Sequence, residues 1–579
     1  MVFFEGDGLI GRRGRLRYER SHLYHNTICF MTDSSKQTAP KKDKLPMAAM
    51  WDPAKLEKEK AELTALEKQP FFGRSIGYIK RTGPGLLQSS MTLGAGSAAA
   101  SVVAGASFGY KLLWVQPLAM FLGVMMFAAL ANIVLSTRER PYKAFMRELS
   151  IILVFLWALG TIVASVVWHF PQYGLAAGAA RSVVQEFLPE DRPLEIKKEV
   201  LDSGGKPVLT AAGKPKWETV KITPLGYGVS FLVGFVVLGL NMTVVFNYGS
   251  GGRGIKVYEW FLRCMIALVI LVFLIVVLTN IGNIKWLEVL KGFIGWYGIP
   301  GNDDPVEYAK TITTVLGMLG AAVGINMTFL YPYSLLAKGW GKEHNTLVKW
   351  DLGMTMFLPF AIVTSLIMIA MTVTGVYSGA DVVNSSISAI EAAESLRGVL
   401  PEKIGRLVFC LGLIGMTCGA ISTHMVVCGF TMCEMLGLEY TRARFRLFAL
   451  TPSIGVLGVV LELPFWFPVA ASAICLTMLP IAYLIFLWLN NKRSYIGDAV
   501  GKGLSRELFN VALAAALLMA CIGAAIKVKG GAIDKIFKKK PAAKPAVELS
   551  SGKELQPFVT PRIIIQDEEE ETLAGTAAP

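Results

Sequence analysis

Charge is scarce in this sequence. Asp, Glu, Lys and Arg supply 17% of its 579 residues, against about 25% in an ordinary water-soluble domain. So few charges cannot cover a water-facing surface. Acids are scarcest where the chain is most apolar: Glu259, Asp351 and Glu434 stand at the ends of apolar runs, and none falls near the middle of one. Paired cysteines are lacking too. The eight cysteines include no Cys-x-x-Cys pair, and Cys264, Cys410, Cys418, Cys428, Cys433, Cys475 and Cys521 lie in or beside apolar runs. They read as small buried hydrophobes, not as zinc ligands or a disulfide frame. The N-terminus lacks the apolar core and small-residue cleavage site of a signal peptide. No Gly-rich phosphate loop ending in Lys-Ser/Thr occurs, nor a nucleophile, base and acid placed to act together, so neither an enzyme nor a bound cofactor is expected. The net charge is +14, but basic residues are not interleaved with aromatics in a patch, which argues against nucleic acid.

Apolar length takes the place of charge. Hydrophobic residues make up 53% of the chain, and its mean hydropathy is +0.49. Runs such as Leu225–Phe246 and Phe261–Leu278 are about as long as the roughly 20 residues that cross a bilayer as helix. Helix is the default there because lipid offers no partner to an open backbone amide. Length and hydropathy predict about eleven spans, near 84–107, 110–136, 149–176, 223–247, 258–281, 311–337, 350–378, 404–433, 444–461, 464–489 and 505–527. Lys and Arg cluster in alternate loops: Arg138, Arg140, Lys143 and Arg147, then Arg253 and Lys256, then Lys338, Lys342 and Lys349, then Arg442, Arg444 and Arg446, then Lys492, Arg493 and Lys502. Such loops face the cytoplasm. The expectation is a multi-pass protein of the cell membrane with a cytoplasmic N-terminus.

Three regions stand apart. Residues 1–70 are polar and include a short charged helix over Lys55–Lys68. The transmembrane domain runs over 71–528 and carries a polar outer insert, 181–222, whose stretch Gly204–Pro215 has the composition of a hairpin or flexible loop. The tail 529–579 is poor in aromatics, ends in the acidic run Asp567–Glu571 and is expected to be disordered.

Two spans should break. The first has Gly83-Pro84-Gly85 at its entry and Gly94-Ala95-Gly96-Ser97 in its middle; the sixth has Gly317, Gly320 and Gly324, with Asn326 just after. Glycine costs about 1 kcal/mol against alanine inside a helix. Such glycines can also serve close helix packing. Their recurrence at spans one and six, the first of each five-helix half, points to an inverted-repeat transporter with its site at the two breaks.

At this point the sequence resembles the Nramp family of proton-coupled divalent metal transporters. The likeness spans about 70–527. It is carried by Gly83-Pro84-Gly85-Leu86-Leu87, Ala104-Gly105-Ala106-Ser107-Phe108-Gly109-Tyr110, Gly317-Met318-Leu319-Gly320-Ala321, Cys418-Gly419-Ala420-Ile421-Ser422-Thr423, Leu479-Pro480 and Asn491-Lys492-Arg493-Ser494-Tyr495-Ile496-Gly497. The resemblance implies an all-α, LeuT-type bundle with helices 1 and 6 broken. It places substrate contacts at Gly94, Ala95, Gly96, Ser97, Ala321, Gly324, Asn326 and Ser422. Metal contacts within that set would come from the side chains of Ser97 and Asn326 and from the backbone at Gly94 and Ala321. The family's acidic pair for proton movement falls near His169 and Gln172.

The departures are large. The family's Asp-Pro-Gly-Asn aligns with Gly94, Ala95, Gly96 and Ser97, and its Met-Pro-His with Gly324, Ile325 and Asn326; its glutamine in span eight aligns with Ala420. The aspartate, the asparagine and the soft thioether are missing from these aligned positions. What remains suits a divalent cation that keeps several waters, as magnesium does, moved by alternating access. It also suits a small polar or zwitterionic solute. A membrane sensor or scaffold with a degenerate site is the third reading. The partners implied are the transported cation or solute and the lipid bilayer.

Overall fold

The computed structural model describes residues 53–187, 194–199, 217–222, 224–248, 252–301, 305–374, 377, 402–459 and 466–529, all within one unit, Lys44–Pro579. Most of the N-terminal region, the whole tail and much of the outer insert therefore lie outside the described residues.

The described chain is almost entirely helical. A charged helix α1 (Pro53–Glu67), as the sequence led us to expect, and an amphipathic α2 (Phe71–Ile79) precede the first span. That span is two helices, α3 (Pro84–Thr92) and α4 (Ala95–Phe108), bent by 49°. Then come α5 (Val115–Thr137), α6 (Pro141–Glu148), α7 (Ile151–Phe187), α8 (Pro224–Tyr248), α9 (Gly252–Thr279) and α10 (Trp286–Phe293). The sixth span is α11 (Pro305–Ala322) followed by α12 (Ile325–Ala337). Next are α13 (Asn345–Asp351), a π turn over Leu352–Phe357, α14 (Leu358–Val373), α15 (Glu402–Met435), α16 (Arg442–Ala449) and a 3₁₀ stretch over Thr451–Val459. The bundle ends with α17 (Trp466–Leu476), α18 (Leu479–Asn490), α19 (Arg493–Ile496) and α20 (Leu504–Lys529).

Among the described residues eight helical segments are long and apolar enough to cross a membrane, and the bent pair makes nine. The expected spans near 444–461 and 464–489 are instead a short helix with a 3₁₀ stretch and two helices of 11 and 12 residues. Glycines at 455 and 458 explain part of this. A Cβ at Gly455 would lie 2.8 Å from the His169 carbonyl carbon, and one at Gly458 would lie 2.9 Å from that of Phe170. The tight 3₁₀ coil lets this stretch press against α7. The outer insert contributes one antiparallel hairpin, β1 (Leu194–Glu199) with β2 (Trp217–Ile222), in register Leu194 to Ile222.

Burial follows function more than hydropathy. Both halves of span one are wholly buried, although they are rich in Ala, Gly and Ser. The apolar side chains Leu504, Leu508, Val511, Leu518 and Ile522 of α20 are instead exposed. Small residues line the centre, where backbones must approach, and large aliphatics face lipid. On the basic face, Lys492 Nζ donates to Glu148 O at 2.7 Å and to Glu148 Oε2 at 3.1 Å. Burial pushes the Glu148 carboxyl up, but Arg147 and Lys492 more than offset it and hold it below the usual range. A depressed carboxylate adds stability above its unfolded pKa and loses it as pH falls through the folded one. Lys492→Met is therefore expected to destabilise the fold by about 1 kcal/mol or less near neutral pH, and by less once Glu148 is protonated, when only the bond to the Glu148 carbonyl remains to be lost. Thermal unfolding at two pH values checks this.

Candidate functional site

Both expected breaks are present. Helix α3 ends at Thr92 and α4 starts at Ala95, while α11 ends at Ala322 and α12 starts at Ile325. The backbone turns extended at Gly94 (ψ −166°) and at Gly324 (ψ 155°). The four helix ends at the breaks leave peptide groups without intrahelical partners. Two N-terminal ends, those of α4 and α12, bring partial positive charge; the C-terminal ends of α3 and α11 bring carbonyl oxygens of partial negative charge.

Side chains satisfy some of these groups. Gln172 Oε1 accepts from Ala95 N–H at 2.9 Å. Asn326 Oδ1 accepts from Met327 N–H at 3.0 Å, and Met327 Sδ from Gly324 N–H at 3.2 Å. Ser97 Oγ donates to Gly94 O at 3.1 Å, which leaves its oxygen lone pairs available to a cation. Two hydrogen bonds fix the frame: Trp157 Nε1 donates to Thr328 Oγ1 at 2.8 Å, and Ser90 Oγ to Gly419 O at 3.0 Å.

Between the breaks lies a cavity of about 20 Å³, lined by Met91, Thr92, Gly94, Gly96, Ser97, Trp168, Gln172, Gly320, Ala321, Gly324, Asn326, Met327 and His424. That volume holds about one water-sized body. It is a narrow waist, closed down as it stands. Of the residues expected at a substrate site, the structure brings Gly94, Gly96, Ser97, Ala321, Gly324 and Asn326 to the wall. Ala95 contributes its N–H, held by Gln172. Ser422 is not on the wall; its hydroxyl donates to Gly419 O at 2.9 Å.

Sequence reasoning missed Met91, Trp168 and Met327. The aligned positions lack a thioether, yet Met91 and Met327 bring two to the wall, so the soft sulfur is not absent from the site. No helical spacing could have found Met327, because the break at Gly324 separates α11 from α12 and interrupts the period. Trp168 and Gln172 are four apart. Trp168 closes the cavity so tightly that a Cβ on Gly96 would lie 2.6 Å from its Cζ3.

His169 lies one layer out. Its Nδ1 sits 2.9 Å from Ser165 O and must donate there, since a carbonyl only accepts. Its Nε2 is then a bare acceptor, buried and without a partner among the described residues. The ring faces that of His424, 5.4 Å away between centres, and His424 Nδ1 is also unpartnered. Pro171 cannot donate to the Val167 carbonyl, so α7 is loosened where Trp168, His169 and Gln172 cluster.

Asp351 belongs to this machinery as well. It was expected at a span end, but it is fully buried. Its Oδ1 accepts from Gly83 N–H at 2.9 Å and its Oδ2 from Gly85 N–H at 2.6 Å. Thr355 Oγ1 adds a contact at 3.2 Å. The carboxylate of α13 thus caps the positive end of α3 from another helix, which ties the first turn of one broken-span half to the seventh span.

With fold and site described, comparison with known proteins is informative. The family model described as "Natural resistance-associated macrophage protein-like" matches residues 224–527, more than half of the chain. This chain belongs to the Nramp family. Nramp structures share its fold. A mutant of the Eremococcus coleocola manganese transporter superposes with a TM-score of 0.58 at 15% identity, covering 82% of this chain and 90% of that one. The same transporter in complex with an aromatic bis-isothiourea substituted compound gives 0.56 at 16% identity over the same shares. A search of curated proteins finds no match. At such identities the likeness fixes the Nramp fold, a LeuT-type bundle, and leaves side-chain chemistry to be read from this chain. Among the described residues no three His, Cys, Asp or Glu side chains gather to hold a metal ion. The Nramp frame is kept here, and no Asp or Glu lines the cavity between the breaks.

Proposed function

We propose that this Nramp-family protein is a secondary transporter that moves a divalent metal cation across the cell membrane by alternating access at the waist between the two breaks. The observation that carries this reading is the pairing of unwound peptide at Gly94 and Gly324 around one cavity. Ser97 Oγ, Asn326 Oδ1 and the backbone at Gly94 and Ala321 are the oxygen donors we assign to the ion. Neutral oxygens do not strip a strongly hydrated ion. The favoured cargo is therefore one that keeps water and accepts hard oxygen ligands, with Mg²⁺ as the type. The cavity admits one water-sized body, so an ion with part of its shell enters only when the halves of spans one and six move apart. His169 and Gln172 are our assignment for the proton side of the cycle: His169 carries a bare nitrogen on a ring 5.4 Å from that of His424, and Gln172 bonds to Ala95. The basic loops give the orientation proposed, with the N-terminus in the cytoplasm.

Thermal unfolding of the purified protein with metals and with small zwitterionic metabolites tests the cargo class. Stabilisation by Mg²⁺ or Mn²⁺ is expected, and stabilisation by metabolites alone would reject the cation. Asn326→Asp sharpens the test. A carboxylate at this wall is expected to raise affinity for Mn²⁺ by about tenfold or more, because Mn²⁺ favours an anionic oxygen or imidazole. Unchanged Mn²⁺ affinity would remove Asn326 from the ligand set.

A further inference from the structure

A second site lies away from the breaks. Two adjoining cavities, of about 200 and 330 Å³, open at the C-terminal end of α5 and share Asn132, Asn345 and Gly501. Their walls come from six places in the chain: α5, the 3₁₀ turn at Lys342–His344, α13, Asn490 at the end of α18, the turn at 498–502, and the first turns of α20. Four cations line them, Lys342, Lys349, Lys502 and Arg506, against a single acid, Asp498. Asp498 is 89% exposed and lies 3.5 Å from Arg493, a cation that does not line either cavity. Among the described residues none of the three lysines has a carboxylate within ion-pair distance. Arg506 donates to Asn491 Oδ1 at 3.0 Å, a neutral acceptor. The walls therefore carry uncompensated positive charge. The N-terminal end of α20, a helix of 26 residues, adds its dipole in the same sense.

Part of the lining of the 200 Å³ cavity is apolar: Ala128, Val348, Val500 and Phe509. From there the exposed stripe Leu504, Leu508 and Val511 runs along α20 into the lipid-facing surface. Positive charge at the membrane boundary, beside an apolar track leading into the bilayer, matches an amphiphile with an anionic head. The loops here belong to the face rich in Lys and Arg, where anionic lipids are concentrated.

We infer that the cavities between α5, α13 and the start of α20 bind a phosphate-bearing anion, as the headgroup of an anionic phospholipid, with Lys349 and Lys502 as its main contacts. The inference does not rest on the identity of the transported ion. It has a consequence for the cycle, because Lys349 lies on α13 two residues before Asp351, the carboxylate that caps α3. An occupant held by Lys349 steadies α13 and, with it, the capped end of span one.

The test uses the full chain in nanodiscs of phosphatidylcholine with or without phosphatidylglycerol. Lipids retained are counted by native mass spectrometry, and melting temperature is read in parallel. Phosphatidylglycerol is expected to be retained and to raise the melting temperature. Each of Lys349→Gln and Lys502→Gln is expected to weaken retention about fivefold, the effect of one basic side chain near an anionic surface. Lys310→Gln, at an exposed pair with Glu307, should change nothing. A further arm adds inorganic phosphate in phosphatidylcholine alone, with chloride at matched ionic strength as control. Stabilisation by phosphate, lost in the same variants, supports the anion site with free phosphate as its source. Wild-type retention of phosphatidylglycerol by the double variant overturns the proposal. So does stabilisation by chloride equal to that by phosphate and lipid.

Discussion

Asp351→Ala is expected to abolish transport and to destabilise the folded protein by about 2–4 kcal/mol. The substitution strips two buried N–H donors, at Gly83 and Gly85, of the Asp351 oxygens that accept from them. A buried donor left without a partner costs about 1–3 kcal/mol, and lipid offers no substitute. Part of the loss is returned because a buried carboxylate with no cation within ion-pair distance no longer has to be desolvated. Function is expected to suffer more than stability. The same carboxylate fixes the entry of α3, and α3 is one of the two halves that must move for the waist to open. Asp351→Asn keeps one acceptor and sets its amide against the second donor, so it should fall between alanine and wild type. Thermal unfolding in detergent, with metal flux in proteoliposomes, reads both effects. An alanine variant as stable and active as wild type would show that α3 is held in some other way.

Gly96→Leu is expected to bring flux down to the level of empty vesicles. Even a single Cβ at this position would lie 2.6 Å from Trp168 Cζ3 and 3.0 Å from Ser472 Oγ. A leucine must displace the indole or fill a cavity that holds about one water. Overpacking of this kind costs about 1–3 kcal/mol, which a large bundle tolerates, so the folded protein should remain recoverable. Gly96→Ala should be milder. Combining it with Trp168→Ala should restore part of the lost flux, because the two side chains compete for the same space. Strict additivity of the two single losses would mean that they act independently and that the waist is not where the ion passes.

The parts of this architecture that were legible in the sequence are those set by local chemistry. Apolar length gave the spans. Glycine clusters at 94–96 and at 317–324 gave both breaks within a residue or two, since a glycine-rich run in a membrane helix weakens it at that point. Contacts between distant elements were not legible. Asp351 reads as a charge at a span end, and only the packing of α13 on α3, 266 residues away in sequence, turns it into a buried cap. Trp168 sits on the wall because of the phase of its helix, which its four-residue spacing to Gln172 implies but does not prove, and Met327 because the chain restarts as helix at Ile325 beside the cavity. The segments expected as spans near 444–461 and 464–489 are not single long helices, because hydropathy does not report the tight coil that Gly455 and Gly458 let form against α7 or the interruption between α17 and α18.

The central claim is that a divalent cation crosses at the waist between Gly94 and Gly324, on neutral ligands. Mg²⁺ uptake into proteoliposomes tests it most directly, measured for wild type, Asn326→Leu and empty vesicles, with Mn²⁺ in parallel. The account predicts wild-type Mg²⁺ uptake well above empty vesicles, lost in Asn326→Leu. Wild-type uptake of both ions no faster than in empty vesicles, or full uptake by Asn326→Leu, would contradict it.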